Sequence, residues 1–155
     1  MNACPTELNF ASHLAALNAP RAAKLAYIDD TRQLTYGELA ERVARMAGAL
    51  RQLGLRREER ILLLTPDDYA YILNHSRVRA AFVSESLLPT LQAALAQAPG
   101  EVEHLVVSRP AAALPAGAHE LDALLAAAPL TPAARTLSDE IAFWLYSSGS
   151  TGKPK

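Results

Sequence analysis

The sequence predicts an α/β fold built on a mostly parallel sheet. Three observations carry that expectation: short apolar runs of strand length, capped segments of helical periodicity between them, and the alternation of the two along the chain. Tyr27-Ile28 is a short strand running into the polar turn Asp29-Asp30, and Leu34-Thr35 restarts the chain toward a helix. Thr35 and Glu38 have the spacing of a capping box, in which hydroxyl and carboxylate each satisfy a backbone N–H left free at a helix start. Leu39, Val43, Met46, Leu50 and Leu53 then recur at steps of four and three, which places them on one helical face, and Gly54 supplies the stop.

Arg56 to Arg60 form a charged loop. Ile61-Leu62-Leu63-Leu64 follows as an unbroken apolar run, the signature of a strand covered on both faces and so of a parallel sheet. Thr65-Pro66-Asp67-Asp68 opens a second helix, with a capping hydroxyl, a proline in the first turn and acids at the positive end of the dipole; Tyr69, Ile72 and Leu73 form its apolar face. Ala81 to Ser84 is the next strand, Leu87 to Gln97 a helix and His104 to Val107 a strand. Pro110 to Gly117 is an alanine- and proline-rich loop, Glu120 to Ala127 a short helix and Pro129 to Ser138 a connector. Ile141 to Tyr146, rich in aromatic and branched residues, is expected to be a last strand. No internal repeat is visible.

Composition narrows the function classes. Half of the 155 residues are hydrophobic and one fifth charged, as in a globular domain. Fifteen basic residues against sixteen acidic ones give a formal charge of −1, so no global attraction to nucleic acid or an anionic membrane is expected. With Cys4 as the only cysteine, neither an internal disulfide nor a zinc site on paired thiolates is possible, which suits a reducing cytoplasm. Met1 to Phe10 lack the pattern of a secretory signal, and no stretch has the length and apolarity of a membrane span. His13, His75, His104 and His119 show no metal-ligand spacing and receive no role, and no metal ligands are assigned.

The chemistry concentrates in Ser147-Ser148-Gly149-Ser150-Thr151-Gly152-Lys153-Pro154-Lys155, directly after the last expected strand. A polyphosphate presents several negative oxygens, which a protein holds with backbone N–H groups, hydroxyls and cations converging from a turn. Gly149 and Gly152 allow close backbone approach, Ser147, Ser148, Ser150 and Thr151 supply hydroxyls, and Lys153 and Lys155 supply charge. A Walker-type loop needs four residues between its glycines and a hydroxyl after the lysine; here only Ser150 and Thr151 intervene and Pro154 follows Lys153. Composition alone is that of a Ser/Gly linker, but the order of small residues, hydroxyls and Lys-Pro-Lys after a strand is far more specific.

Tyr146 to Lys155 resembles the phosphate loop of the acyl-adenylate-forming, AMP-binding enzymes, whose usual form is Tyr-Thr-Ser-Gly-Thr-Thr-Gly-x-Pro-Lys. Further stretches are similar to the benzoate–CoA ligases and the neighbouring 4-hydroxybenzoate enzymes: Leu8 to Ala11, Thr35 to Leu39, Asp67 to Tyr71 and Ile141 to Gly152. Phe143-Trp144 marks this branch, although as residues both are expected to be core aromatics.

The resemblance implies an acid–thiol ligase, using ATP with Mg2+ and then coenzyme A to convert benzoate or a related aryl carboxylate to its thioester. ATP phosphates would fall to Ser147, Ser148, Gly149, Ser150, Thr151, Gly152, Lys153 and Lys155, and no catalytic residue is assigned. It further implies that residues 1–155 are the incomplete N-terminal portion of the AMP-binding domain, without the C-terminal domain and inactive alone. Between Leu64 and Thr65 the family carries several tens of further residues, so an internal segment is missing and marginal stability is expected. The competing expectations are a 4-hydroxybenzoate–CoA ligase and a non-catalytic truncated module that only associates with partners.

Overall fold

The computed structural model describes residues 5–63, 69–98 and 100–146. It divides into two units: Met1–Gln52 with Ala127–Trp144, and Leu53–Ala126 with Leu145–Lys155.

In the first unit, Asn9 starts helix α1 (Phe10–Asn18) by accepting the Ser12 N–H on its side chain at 3.0 Å. This helix has no counterpart in the sequence expectations. A single 3₁₀ turn, Ala19–Arg21, leads to the antiparallel pair β1 (Leu25–Ile28) and β2 (Gln33–Thr35). Asp29 closes their turn: Oδ1 accepts the N–H of Thr31 at 2.7 Å and of Arg32 at 2.8 Å, with the Thr31 hydroxyl at 2.8 Å. The Thr31 backbone and hydroxyl donors, joined by Arg32 and Tyr27, hold the Asp29 carboxyl far below the usual carboxylate range.

The capping box forms as its spacing predicts. Glu38 Oε2 accepts the Thr35 N–H at 2.7 Å and the Thr35 hydroxyl at 2.9 Å, while Thr35 Oγ1 accepts the Glu38 N–H at 3.2 Å, at the start of helix α2 (Tyr36–Gln52). The expected apolar face of α2 is only partly covered, since Leu39 and Val43 are exposed. The buried positions are Gly48 and Ala49. A Cβ on Gly48 would lie 2.2 Å from the Pro129 carbonyl oxygen, so the connector 127–144 crosses α2 where the helix has no side chain. Backbone bonds secure the crossing: Thr131 N–H to Ala44 O at 3.1 Å, Leu8 N–H to Thr136 O at 2.9 Å and Ser138 N–H to Thr6 O at 3.1 Å.

The second unit holds a four-stranded, wholly parallel sheet in the order β3 (Arg60–Leu63), β4 (Val78–Ser84), β5 (His104–Ser108) and β6 (His119–Glu120). Helix α3 (Tyr69–Ser76) joins β3 to β4, and α4 (Leu88–Gln97), entered through the 3₁₀ turn Glu85–Leu87, joins β4 to β5. Helix α5 (Leu121–Ala127) follows β6, its first turn capped by the Glu120 carboxylate, which accepts the Asp122 and Ala123 N–H groups at 3.2 and 2.9 Å. The core joins Leu73 of α3, Val78, Ala81 and Val83 of β4, Leu91 and Ala94 of α4, and Val107 of β5. The α/β class and the parallel sheet are therefore as the sequence predicts. β4 starts three residues earlier than expected, and β6 was not expected. The opening of the second helix, Thr65 to Asp68, lies outside the described residues. No described helix is long and apolar enough to cross a membrane.

One expectation fails clearly. Ile141 to Tyr146 is not a strand, and Phe143 and Trp144 are not core residues but 63% and 59% exposed. An extended apolar run becomes a strand only when a neighbour completes its ladder, and none of the described strands lies alongside to do so. Phe143 instead meets Phe10, with ring centroids 6.3 Å apart.

Two outcomes follow. Gly48→Ala gains helix propensity of about 1 kcal/mol but meets a backbone oxygen that cannot swing aside, so it lowers stability by roughly 1–2 kcal/mol net in denaturant titration. Glu38 is held below its ordinary range by the Thr35 N–H first and the Thr35 hydroxyl second, so its stabilising effect is present above the ordinary glutamate range and is lost as pH falls through the folded-state value. The melting-temperature gap between the parent and Glu38→Gln is accordingly expected to close on acidification through the carboxylate range.

Candidate functional site

The phosphate-loop candidates Ser147, Ser148, Gly149, Ser150, Thr151, Gly152, Lys153 and Lys155 lie outside the described residues. What is described is the residue from which the loop departs. Tyr146 places its hydroxyl 2.8 Å from Nδ1 of His75, with the two rings edge to face at 5.8 Å. His75 in turn stacks on Tyr71 at 5.4 Å between centroids, with the ring planes 13° apart. Tyr71 and His75 are four residues apart on α3, which puts both rings on one helical face. Buried Ile72 and Leu73 on the same helix fix that face by packing inward.

The hydrogen bond works in either tautomer. The tyrosine hydroxyl donates to an unprotonated Nδ1, or an Nδ1–H donates to the tyrosine oxygen. Either way the chain is pinned at the last residue before the glycines and hydroxyls. Just upstream, Ile141 and Leu145 are exposed, whereas the Tyr146 hydroxyl is held by the His75 ring.

The sequence reading gave His75 no role because its four histidines lack ligand spacing, and nothing in that spacing signals a partner 71 positions away. Among the described residues no group of three or more His, Cys, Asp or Glu is arranged to hold a metal ion. His104 and His119 approach each other across β5 and β6 at 6.2 Å between ring centroids, without an acidic third partner that would complete such a group.

A second charged feature lies at the N-terminal ends of the strands. Glu58, Glu59, Arg60, Arg77, Arg79 and Glu101 line an open depression of about 210 Å³. Its cations are already engaged: Arg77 Nε lies 2.9 Å from Glu101, Arg60 donates to the Ser76 carbonyl at 2.8 Å, and Arg79 pairs with Glu103 and, at 3.6 Å, with Glu59. Glu103 above all, through its hydrogen bond, raises the Arg79 pKa further. Solvent-accessible pairs of this kind add little stability, and their balance leaves little net field for an anion.

The model of the AMP-binding enzyme family matches residues 14–67 and 63–155. The benzoate–CoA ligase of Thauera aromatica is 40% identical over 183 aligned residues, covering 97% of this chain and 34% of its own length. The 4-hydroxybenzoate–CoA/benzoate–CoA ligase of Rhodopseudomonas palustris is 37% identical, covering 87% of the chain and 30% of its own. Among solved structures, a benzoate CoA ligase from Burkholderia xenovorans LB400 superposes with a TM-score of 0.75 at 41% identity, over 95% of this chain and 34% of that one. The chain spans about a third of the length of these relatives.

Tyr146→Phe removes the hydroxyl and keeps the ring. It is expected to cost about 0.5–1 kcal/mol, because an exposed hydrogen bond contributes little net, and to speed amide exchange at Ser147 and Ser148. Unchanged exchange there, read by NMR or mass spectrometry, counts against the anchor.

Proposed function

The chain belongs to the AMP-binding enzyme family, and on that premise we propose that the protein activates an aromatic carboxylate, with benzoate the first candidate, to an acyl-adenylate and then to its coenzyme A thioester. The observation that carries this reading is the residue order Ser147-Ser148-Gly149-Ser150-Thr151-Gly152-Lys153-Pro154-Lys155, within a chain 40% identical to a relative named for benzoate. The relative from Rhodopseudomonas palustris is named for both benzoate and 4-hydroxybenzoate, so the hydroxylated acid is the second candidate.

Activation begins when a carboxylate oxygen of the aryl acid attacks the α-phosphorus of ATP. The bond from that phosphorus to the bridging oxygen breaks, and pyrophosphate departs with the electron pair. The thiol of coenzyme A then attacks the acyl carbon, loses its proton to solvent and displaces AMP.

This chain's part lies in the first step. Negative charge grows on the β and γ oxygens as pyrophosphate leaves, and preorganised donors aimed at those oxygens lower the barrier. Ser147, Ser148, Ser150 and Thr151 contribute hydroxyls, Gly149 and Gly152 allow backbone N–H groups to approach, and Lys153 and Lys155 offset charge. The Tyr146–His75 bond fixes where the loop leaves the fold and so reduces the ordering that ligand binding must supply. Magnesium would arrive with ATP, offsetting the charge of its phosphates.

The test is pyrophosphate release from ATP, driven by benzoate or 4-hydroxybenzoate. It compares this chain with the same chain extended by the adjoining coding sequence, and with Thr151→Ala in the extended form. Aryl-acid-dependent release by the extended protein, slowed roughly tenfold or more by Thr151→Ala, is the expected result. Release that ignores both acids removes the substrate, and an unchanged rate in Thr151→Ala removes the loop assignment.

A further inference from the structure

The C-terminal turn of α3 is held from several directions. Ile72 and Leu73 are buried, the Ser76 hydroxyl donates to the Ile72 carbonyl at 2.6 Å, and Arg60 of β3 donates to the Ser76 carbonyl at 2.8 Å. The Arg60 bond occupies one of the carbonyls that a helix end leaves without an internal partner, and it ties the turn to the sheet. Arg77 then takes the left-handed conformation, with φ 52°, that ends the helix and turns the chain into β4.

His75 sits in this turn and is exposed, yet its ring has two specific neighbours. Tyr71 stacks on it at 5.4 Å between centroids, and the Tyr146 hydroxyl lies 2.8 Å from Nδ1. All three residues belong to the second unit. A histidine whose backbone is locked and whose ring already rests on a neighbour has little freedom left to lose when it takes a hydrogen-bond partner.

Tyr146 immediately precedes the hydroxyls and glycines of residues 147–152. A bond at that position restrains where the loop departs and leaves its own donors free to close on a ligand. Without the restraint the loop samples more arrangements, and apparent affinity falls with the fraction that remains competent to bind. Because the loop is the part that meets phosphates, the restraint acts on ATP and not on the aryl acid.

We propose that His75 is a positioning residue for ATP, acting through the Tyr146 hydroxyl, so that the locked end of α3 sets the nucleotide affinity of the loop. The proposal rests on the reading of residues 147–155 as the phosphate loop and is independent of which acid is activated.

The experiment uses this chain extended by the adjoining coding sequence, with ATP as the probe. His75→Phe and Tyr146→Phe each keep a ring and remove one end of the hydrogen bond. The parent, both single variants and the double variant are compared by equilibrium dialysis for the ATP Kd, and by pyrophosphate release for the KM of ATP and of benzoate. The expected result is an ATP Kd raised about two- to fivefold in each single variant, no further rise in the double, and an unchanged KM for benzoate. An unchanged ATP Kd in His75→Phe overturns the role of His75. Effects that multiply in the double variant overturn the shared bond as their cause, and equal losses for ATP and benzoate overturn positioning in favour of a merely structural contact. A parent that binds ATP but releases no pyrophosphate with either acid removes the substrate assignment alone, and the dialysis still decides the role of His75. A parent that binds no ATP overturns that role together with the loop assignment.

Discussion

Burial of β4 on both faces is the constraint on which the second unit depends. A strand in that position offers its backbone to neighbours on either side and its side chains to helices above and below. Val78, Ala80, Ala81, Phe82 and Val83 are all buried, and the in-register pairing from Ala80 with His104 to Ser84 with Ser108 satisfies the ladder toward β5. Ala80 and Ala81 have no side chain beyond Cβ, which suits packing layers that come close to the sheet. Leu73 from α3 and Leu91 from α4 then fill the space around β4, and both are fully buried. The charged residues are left at the strand starts, where Arg79 meets Glu103 and Glu59 with partial access to water.

The first unit is held differently. Much of it is a backbone clasp, in which the connector 127–144 bonds to the segment from Thr6 to Leu8 and crosses α2 at Gly48. The clasp also uses side chains of the helix: Arg45 donates to Ala128 O at 3.1 Å and Arg51 to Pro132 O at 3.2 Å, while Arg135 pairs with Glu7. Main-chain bonds of this kind make little demand on residue type, so they leave almost no trace in sequence. The exception is Gly48, where the connector's carbonyl comes too near for any Cβ.

Local signals were legible where the partners are near in sequence. The capping box of Thr35 and Glu38 was readable because both members lie within four residues, and the strand at Ile61 because an apolar run of that length has few alternatives. Helix α1 was missed although Asn9 caps it, since its small apolar residues show no sharp periodic face and none is buried. The supposed strand at Ile141 to Tyr146 shows the converse: branched and aromatic residues favour an extended chain, yet a strand is a property of two segments. At the candidate site the loop's chemistry is written in residue order, while the link between Tyr146 and His75 joins residues that no short-range pattern connects.

The sequence by itself determined the α/β class, the capped start of α2, the apolar strands and the hydroxyl, glycine and lysine content of the loop. Each of these depends on residue types within a few positions of one another. Only the tertiary structure decided that α2 fully buries Gly48 and Ala49 while its apolar face is partly covered, that Tyr146 is pinned by His75, that Phe143 and Trp144 stay exposed, and that β3 is the outermost of the described strands. Those outcomes depend on which distant segment arrives beside each surface, and for β3 and for the run before Tyr146 the described fold brings no segment to complete the ladder.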